Sequence, residues 1–124
     1  MDLKILEETY KVIQLKPDEK INFDLLNGEI FSVTKTDEEL SIVVKSDVNI
    51  ESDVVEDNWR AIKIVGILDF SLIGILSKIS TILANANISI FAISTYNTDY
   101  ILVKNEKLEQ SIQVLQENGY RIVV

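Results

Sequence analysis

Two stretches of the chain read as one hairpin written twice: FSVTKTDEELSIVVK at Phe31–Lys45 and FAISTYNTDYILVK at Phe91–Lys104. The copies begin 60 residues apart (91 − 31), and the second is one residue shorter. A repeat of this period is typical of duplicated supersecondary units that share a sheet. The matched positions are Phe31 with Phe91, Val33 with Ile93, Thr34 with Ser94, Val43 with Val103 and Lys45 with Lys104.

The sequence around the second hairpin predicts a complete unit. Arg60–Ile67 alternates as a strand, and Gly74–Asn87 carries apolar residues at helical spacing. After the hairpin, Asn105 is placed to cap a second helix, Gly119 fits the position beyond its end, and Tyr120–Val124 forms a last strand. The order β-α-β-β-α-β predicts an α+β, ferredoxin-like sandwich with its helices on one face of the sheet.

The sequence around the first hairpin predicts much less structure. Thr9–Leu15 is a short strand that Pro17 ends, and Ile21–Gly28 has room for only one or two helical turns. The acidic, turn-rich segment Ser46–Asn58 reads as a connection between lobes. We therefore expect the first unit to be a degenerate copy that supports the second.

Composition excludes several kinds of function. The 124 residues are enough for one compact domain or two small lobes, and they include neither cysteine nor histidine. Thiolate chemistry and a histidine general base are therefore excluded. A net charge of −8 argues against binding a nucleic-acid backbone. The apolar stretches are too short to span a membrane and the N-terminus has no signal-peptide layout, so we expect a cytoplasmic protein.

The remaining acids are weak evidence for catalysis. Without histidine or cysteine, an enzyme would depend on serine, lysine, carboxylates or a metal. Asp69 and Asp99 are the acids expected near the start of the first helix, and a pair of carboxylates alone does not identify an active site. The acids at 37–39 and 51–57 lack the glycine and the spacing of a calcium loop. We expect no enzymatic activity, no metal site and no cofactor.

The element order β-α-β-β-α-β is also that of RNA-recognition modules, which stack bases on aromatic residues of an open sheet face. Here Phe91 alternates with Ile93, Tyr100 stands nearly alone, and the net charge has the wrong sign. We therefore expect no nucleic-acid partner.

The loop DFSLIG at 69–74 leads directly into the predicted helix. A helix start presents unpaired N–H groups and the positive end of a dipole, which suit a carboxylate. Gly74 lacks a side chain, so a ligand is able to approach the backbone there. An ordinary tight turn explains a lone glycine at least as well, and the loop has neither the length nor the lysine of a nucleotide-binding P-loop.

The segments LDFSLIGIL at 68–76 and ANISIFAISTYNTDYILVK at 86–104 resemble the ACT domain, a small-molecule regulatory module. More narrowly, the chain is similar to the tandem-ACT family, which includes stand-alone bacterial ACT proteins and an animal arginine sensor. The signature I-S-T-aromatic-x-x-D of that family is present as Ile93–Asp99, and the F-S-x-T hairpin of its first unit is present as Phe31–Thr34. The resemblance covers nearly the whole chain.

The resemblance implies two ACT-like lobes that share a sheet: a degenerate lobe at 1–58 and a complete ACT domain at 59–124. It also implies that a ligand is held between two such units. One side of that site would be the loop before the first helix and the signature turn, and the other would be the start of the second strand of a facing unit, matched here by Ser89 and Ile90. The residues on the first side are Asp69, Leu72, Gly74, Ile75, Thr95, Tyr96 and Asp99.

We therefore expect a non-catalytic regulatory or sensor protein that binds a free amino acid at an interface between ACT lobes. Amides near Gly74 and Ile75 would hold the α-carboxylate, while Asp99 and Leu72 would read the side chain. Because the site needs a second unit, we expect a homodimer whose ligand alters the affinity of a regulated protein partner. The alternative is a protein–protein interaction module without a small ligand, whose edge strands pair with another protein.

Overall fold

The computed structural model describes residues 1–66 and 74–123, and the chain forms two compact units. One unit joins Met1–Glu7 to Arg60–Val124, and the other is Glu8–Trp59. The expected division into a degenerate lobe at 1–58 and a complete domain at 59–124 remains a prediction.

The larger unit has the predicted α+β order. The described residues contain seven strands, numbered β1 to β7, and two α-helices, α1 and α2, in chain order. The elements of the larger unit after its first strand are β4 (Val54–Ile64, whose first residues belong to the smaller unit), α1 (Ile75–Asn85), β5 (Ile90–Ser94), β6 (Asp99–Lys104), α2 (Leu108–Glu117) and β7 (Arg121–Val123). Strands β5 and β6 are antiparallel and pair Ile90 with Val103 through to Ser94 with Asp99.

The long first strand, β1 (Asp2–Leu15), was only half predicted. The sequence placed a strand at Thr9–Leu15, whereas the structure begins it at Asp2. Residues Asp2 to Lys4 pair in parallel with β7, and the next neighbour of β1 in the sheet is β4. The signal for the missed half was the alternation of buried Leu3 and Ile5 with the less buried Lys4.

The core of the larger unit lies between its sheet and its two helices. Fully buried Ile79 and Leu83 of α1 and Leu115 of α2 belong to one apolar cluster with the strand residues. The strand residues of that cluster are Leu3 and Ile5 of β1, Ile62 and Ile64 of β4, and Ile101 and Val103 of β6. Because these strand positions alternate, the helices cover one face of the sheet, as the sequence predicted.

The start of α2 differs from the prediction. Asn105 was expected to cap this helix, but Asn105–Lys107 forms a short 3₁₀ turn and Lys107 is the residue before α2, without a side-chain cap. The Asn105 side-chain oxygen instead accepts a hydrogen bond from Arg60 Nη1 at 3.4 Å. Gly119 follows the helix with a φ of 91°, the left-handed conformation expected of a residue at that position.

The smaller unit contains the first hairpin, β2 (Ser32–Lys35) and β3 (Leu40–Lys45), beside the second half of β1. Its residues 8–59 hold no α-helix; the predicted short helical segment is a single 3₁₀ turn at Phe23–Leu25. Its core is formed by Ile13, Leu26, Leu40, Ile42, Val44 and Val48. The acidic segment expected as a connection becomes strand from Val54 onward.

Candidate functional site

The N-terminus of α1 is open. Gly74 precedes the helix in the left-handed conformation, with φ 80° and ψ 9°, and no side chain caps the first turn. The first turn contains no acidic residue, so within the described ranges no carboxylate of the helix itself offsets the positive end of its dipole. No described atom beyond the chain neighbours lies within 4 Å of the place a Cβ on Gly74 would occupy. Among the described residues, therefore, no atom blocks the Cβ side of Gly74.

The turn between β5 and β6 is closed by Thr95. Its N–H donates to the Thr98 carbonyl oxygen at 2.8 Å, and its hydroxyl donates to the same oxygen at 3.1 Å. The Thr98 N–H in turn donates to the Thr95 hydroxyl at 3.3 Å. These three bonds join Thr95 to Thr98 and close the turn within the hairpin.

Thr98 fixes this turn to the end of β4. Its hydroxyl donates to the Ile64 carbonyl oxygen at 2.8 Å, and only 5% of the residue is exposed. The turn is thereby tied to the strand that leads toward α1. Thr98 was predicted only as a member of the turn, and the T-x-x-T spacing of Thr95 and Thr98 was the available signal for its second role.

Asp99 is the acidic residue of the signature turn, and its carboxylate has a partner within the hairpin. Ser94 pairs with Asp99 across the two strands, and the Ser94 hydroxyl donates a hydrogen bond to that carboxylate. Alternation along β6 puts Asp99 on the same face as Ile101 and Val103, which pack against the helices. The carboxylate thus lies on the helix side of the sheet, and a carboxylate with one bonded hydroxyl retains acceptor capacity for a ligand.

The other expected site residues fall in three places. Tyr96 is 81% exposed at the tip of the turn. Ser89 and Ile90 lie at the opposite end of β5, about 20 Å from Thr95 at the rise of an extended strand. Within one chain these residues cannot contact the same small ligand as the turn does. Asp69 and Leu72 lie outside the described residues.

The two hairpins share their turn but not their acid. Thr36 closes the first turn as Thr95 closes the second: the Thr36 N–H donates to the Glu39 carbonyl oxygen at 2.9 Å. The residue that follows the first turn is Leu40, which is buried and pairs with Lys35. In the second hairpin the corresponding residue is Asp99. The acids Glu38 and Glu39 belong to the first turn itself, and of the two hairpins only the second has an acid at this position.

The described residues show no metal site and no membrane-spanning element. No group of three or more acidic residues among them is arranged to hold a metal ion. No helix in the described ranges combines the length and apolar character needed to cross a bilayer.

A family model for the ACT domain matches residues 54–117, just over half of the chain. A second family model, for an N-terminal domain, matches residues 8–53. Among curated proteins, the chain is 38% identical over 95 residues to the "cytosolic arginine sensor for mTORC1 subunit 1" of Homo sapiens and of Bos taurus. Each match covers 76% of this chain, and the chain spans only 28% of the length of these relatives.

Solved structures show the same fold over almost the whole chain. An Agobacterium tumefaciens protein is 33% identical and superposes with a TM-score of 0.89, covering 98% of this chain and 91% of that one. A Vibrio cholerae protein described as a possible transport protein has a TM-score of 0.71 at 22% identity, covering 94% and 88%. An aspartokinase structure gives a TM-score of 0.66 at 14% identity, covering 94% and 96%. The last two likenesses concern the fold alone.

Proposed function

This chain belongs to the ACT-domain family, and from that premise we propose that it is a non-catalytic regulatory protein that binds a free amino acid. The observation that carries the proposal is the uncapped N-terminus of α1 at Gly74 in the same unit as the fixed Thr95–Thr98 turn. The curated relatives are named as cytosolic arginine sensors, which supports an amino acid as the class of ligand and a cytoplasmic location.

The first group of contacts concerns the part that all amino acids share. The free N–H groups at the start of α1 would hold the α-carboxylate, since a helix N-terminus favours an anion. Gly74 allows a close approach to Ile75 because no Cβ stands in the way. Carbonyl groups of the Thr95 turn would accept bonds from the ammonium group.

The second group of contacts would set the choice of side chain. Asp99 carries the acid of this hairpin and suits a cationic group, while Tyr96 would close over the ligand from the exposed tip. Leu72 and Asp69, which precede α1 in the sequence, complete this side of the proposed site. The bond from Ser94 would hold the Asp99 carboxylate in one orientation.

A second copy of the chain would supply the rest of the site. Ser89 and Ile90 lie too far along β5 to contact a ligand at the turn of their own chain. We propose that the larger units of two chains face each other. The start of β5 in each chain, at Ser89 and Ile90, would then contact the ligand bound at the turn of the other chain. A two-fold dimer completes both sites with a single contact.

Ligand binding would then be read by a protein partner. An amino acid held between two units would favour the arrangement of the units that encloses it over a more open one. The affinity for the partner can then change by no more than the ratio of the ligand's affinities for these two arrangements. The smaller unit, which lacks the helix that precedes the second hairpin, would support rather than bind.

A thermal-unfolding screen of the twenty free amino acids at millimolar concentration tests the proposal. At 100 times its dissociation constant, a ligand adds about 2.7 kcal/mol to the free energy of unfolding, which is a clear shift in melting temperature. At least one amino acid should stabilise the protein. Twenty unmoved melting curves would favour the alternative, an interaction module without a small ligand.

A further inference from the structure

A cavity of about 230 Å³ lies on the face of the sheet opposite to Asp99. The residues that line it are Lys63, Gly66, Thr95, Asn97, Thr98 and Tyr100. The neighbours of Lys63 and Tyr100 along their strands pack against the helices; they are Ile62, Ile64 and Ile101. Because side chains alternate along a strand, those of Lys63 and Tyr100 project from the other face of the sheet. The cavity would hold about seven waters at liquid density, which is room for a small organic ion and not for a nucleotide.

The lining of this cavity carries a positive charge in an acidic protein. The chain has 20 acidic and 12 basic residues, yet none of the lining residues in the described part of the chain is an acid. Lys63 is half-buried, and its Nζ stands 5.9 Å from the centroid of the Tyr100 ring. Within the described ranges Lys63 has no carboxylate partner, so the ring is the only group that offsets its lost hydration.

Two further polar groups of the lining are available for binding. Neither the Asn97 carboxamide nor the Tyr100 hydroxyl bonds to another described residue, whereas both threonine hydroxyls are used within the structure. Lys63, Asn97 and Tyr100 therefore bring one ammonium group and two neutral donors to the same space. That set matches a carboxylate. The Lys63 ammonium group would donate a charge-assisted hydrogen bond to it, and the Asn97 carboxamide and the Tyr100 hydroxyl would donate neutral hydrogen bonds.

We infer that this cavity is a binding site for a small carboxylate, separate from the proposed amino-acid site. The described lining contains no arginine, whose planar fork binds phosphate bidentately, so a carboxylate is favoured over a phosphate. The Thr95–Thr98 turn borders both sites, one on each face of the sheet. A carboxylate in the cavity would therefore restrain the same turn from the opposite face of the sheet. Binding at the cavity and binding at the proposed amino-acid site would then change each other's affinity by the same factor.

Titration of the ¹⁵N-labelled full chain with succinate, followed by amide resonances, tests this inference. Succinate is chosen because it is not an amino acid, so the outcome does not depend on the proposed function. The amides of Lys63, Asn97 and Tyr100 should shift in a saturable way, while those of Gly74 and Ile75 stay in place. Succinamide, a neutral compound of the same length, should give no saturable shift.

Variants of Lys63 locate the effect. Lys63→Gln should weaken succinate binding by about tenfold, and Lys63→Arg, which keeps the charge, should stay within about threefold of the natural chain. Lys78→Gln, on an exposed residue of α1, is the matched control and should change nothing. Equal binding by Lys63→Gln, an equal response to phosphate or succinamide, shifts confined to Gly74 and Ile75, or no saturable shift at all would each overturn the inference.

Discussion

The hydroxyl of Thr98 lies 2.8 Å from the carbonyl oxygen of Ile64 and joins the signature turn to the end of β4. The residue is 5% exposed, so this bond is made away from solvent. A side-chain donor that satisfies a buried main-chain carbonyl fixes two segments that are 34 residues apart in sequence. This hydroxyl thus adds a side-chain tie between the turn and β4 to the strand pairing of the hairpin.

Thr98→Val should lower the free energy of unfolding by about 1–3 kcal/mol. Valine keeps the shape of threonine but leaves the Ile64 carbonyl oxygen without its donor, and the loss of a buried partner has this magnitude. Thr81→Val is the matched control, because Thr81 is exposed on α1. Urea denaturation measures both, and equal stability of the two variants would show that the bond contributes little.

Gly74→Val should weaken amino-acid binding more than it weakens folding. A side chain at φ 80° adds strain of about 1–2 kcal/mol to the folded state, and it also blocks the approach to the α1 amides. Gly119→Val is a sharp control: Gly119 has a φ of 91° and equally open surroundings in the described part of the chain, but it lies beyond α2.

Both glycine variants should lose similar stability in denaturant titrations, and only Gly74→Val should lose affinity, by more than about tenfold, in calorimetry. If the folded Gly74→Val protein binds as tightly as the Gly119→Val protein, the ligand lies elsewhere.

Asp99→Asn should separate ligands by charge. Asparagine retains an oxygen that accepts the Ser94 hydroxyl, so the hairpin should fold normally. Binding of lysine or arginine should fall by about tenfold and binding of an apolar amino acid by less than about twofold, because a charge-assisted hydrogen bond is about twice as strong as a neutral one. Asp37→Asn, in the exposed first turn, removes the same charge and should have no such effect.

Calorimetry on these two aspartate variants gives the answer. Equal losses for cationic and apolar amino acids in Asp99→Asn would assign Asp99 to the turn and remove it from side-chain recognition.

Light scattering should give a mass near twice the 14.1 kDa of one chain. The physical reason is that Ser89 and Thr95 stand at opposite ends of β5, so a complete site needs two copies. Mixing Gly74→Val with Ser89→Trp should restore part of the binding that each variant lacks alone, because a mixed dimer has one intact site. A monomer with and without ligand, or no recovery on mixing, would contradict the shared site.

The sequence predicted the larger unit well because its signals are local. The helical spacing in α1 and the short apolar runs in β5 and β6 are set by neighbouring residues, and the structure has these elements within about two residues of the prediction. The N-terminal half of β1 was missed because its local signal is only the short alternation around Leu3 and Ile5, and its pairing with β7 joins residues more than a hundred positions apart. No local pattern reports such a partner.

The ligand-binding residues remain a prediction. Gly74 and the Thr95–Asp99 turn were identified from a resemblance, and their side-chain bonds were not. The alignment of the two hairpins matched Thr34 with Ser94, whereas the turn bonds make Thr36 the equivalent of Thr95. An alignment of hydrophobic residues tolerates a shift of one residue between the two hairpins. The turn does not tolerate it, because the N–H of one particular residue must reach the carbonyl oxygen of another. Lys63 was overlooked because a lone lysine in a strand carries no signal in the sequence.

The central claim is that the N–H groups at the start of α1 bind the α-carboxylate of an amino acid. Calorimetric titration should compare the amino acid that gives the largest thermal shift with its α-carboxamide, which keeps the side chain and the ammonium group. We predict that the carboxamide binds at least about a hundredfold more weakly, because a neutral amide loses the charge that the helix N-terminus favours. Equal affinity for the two compounds would contradict the account.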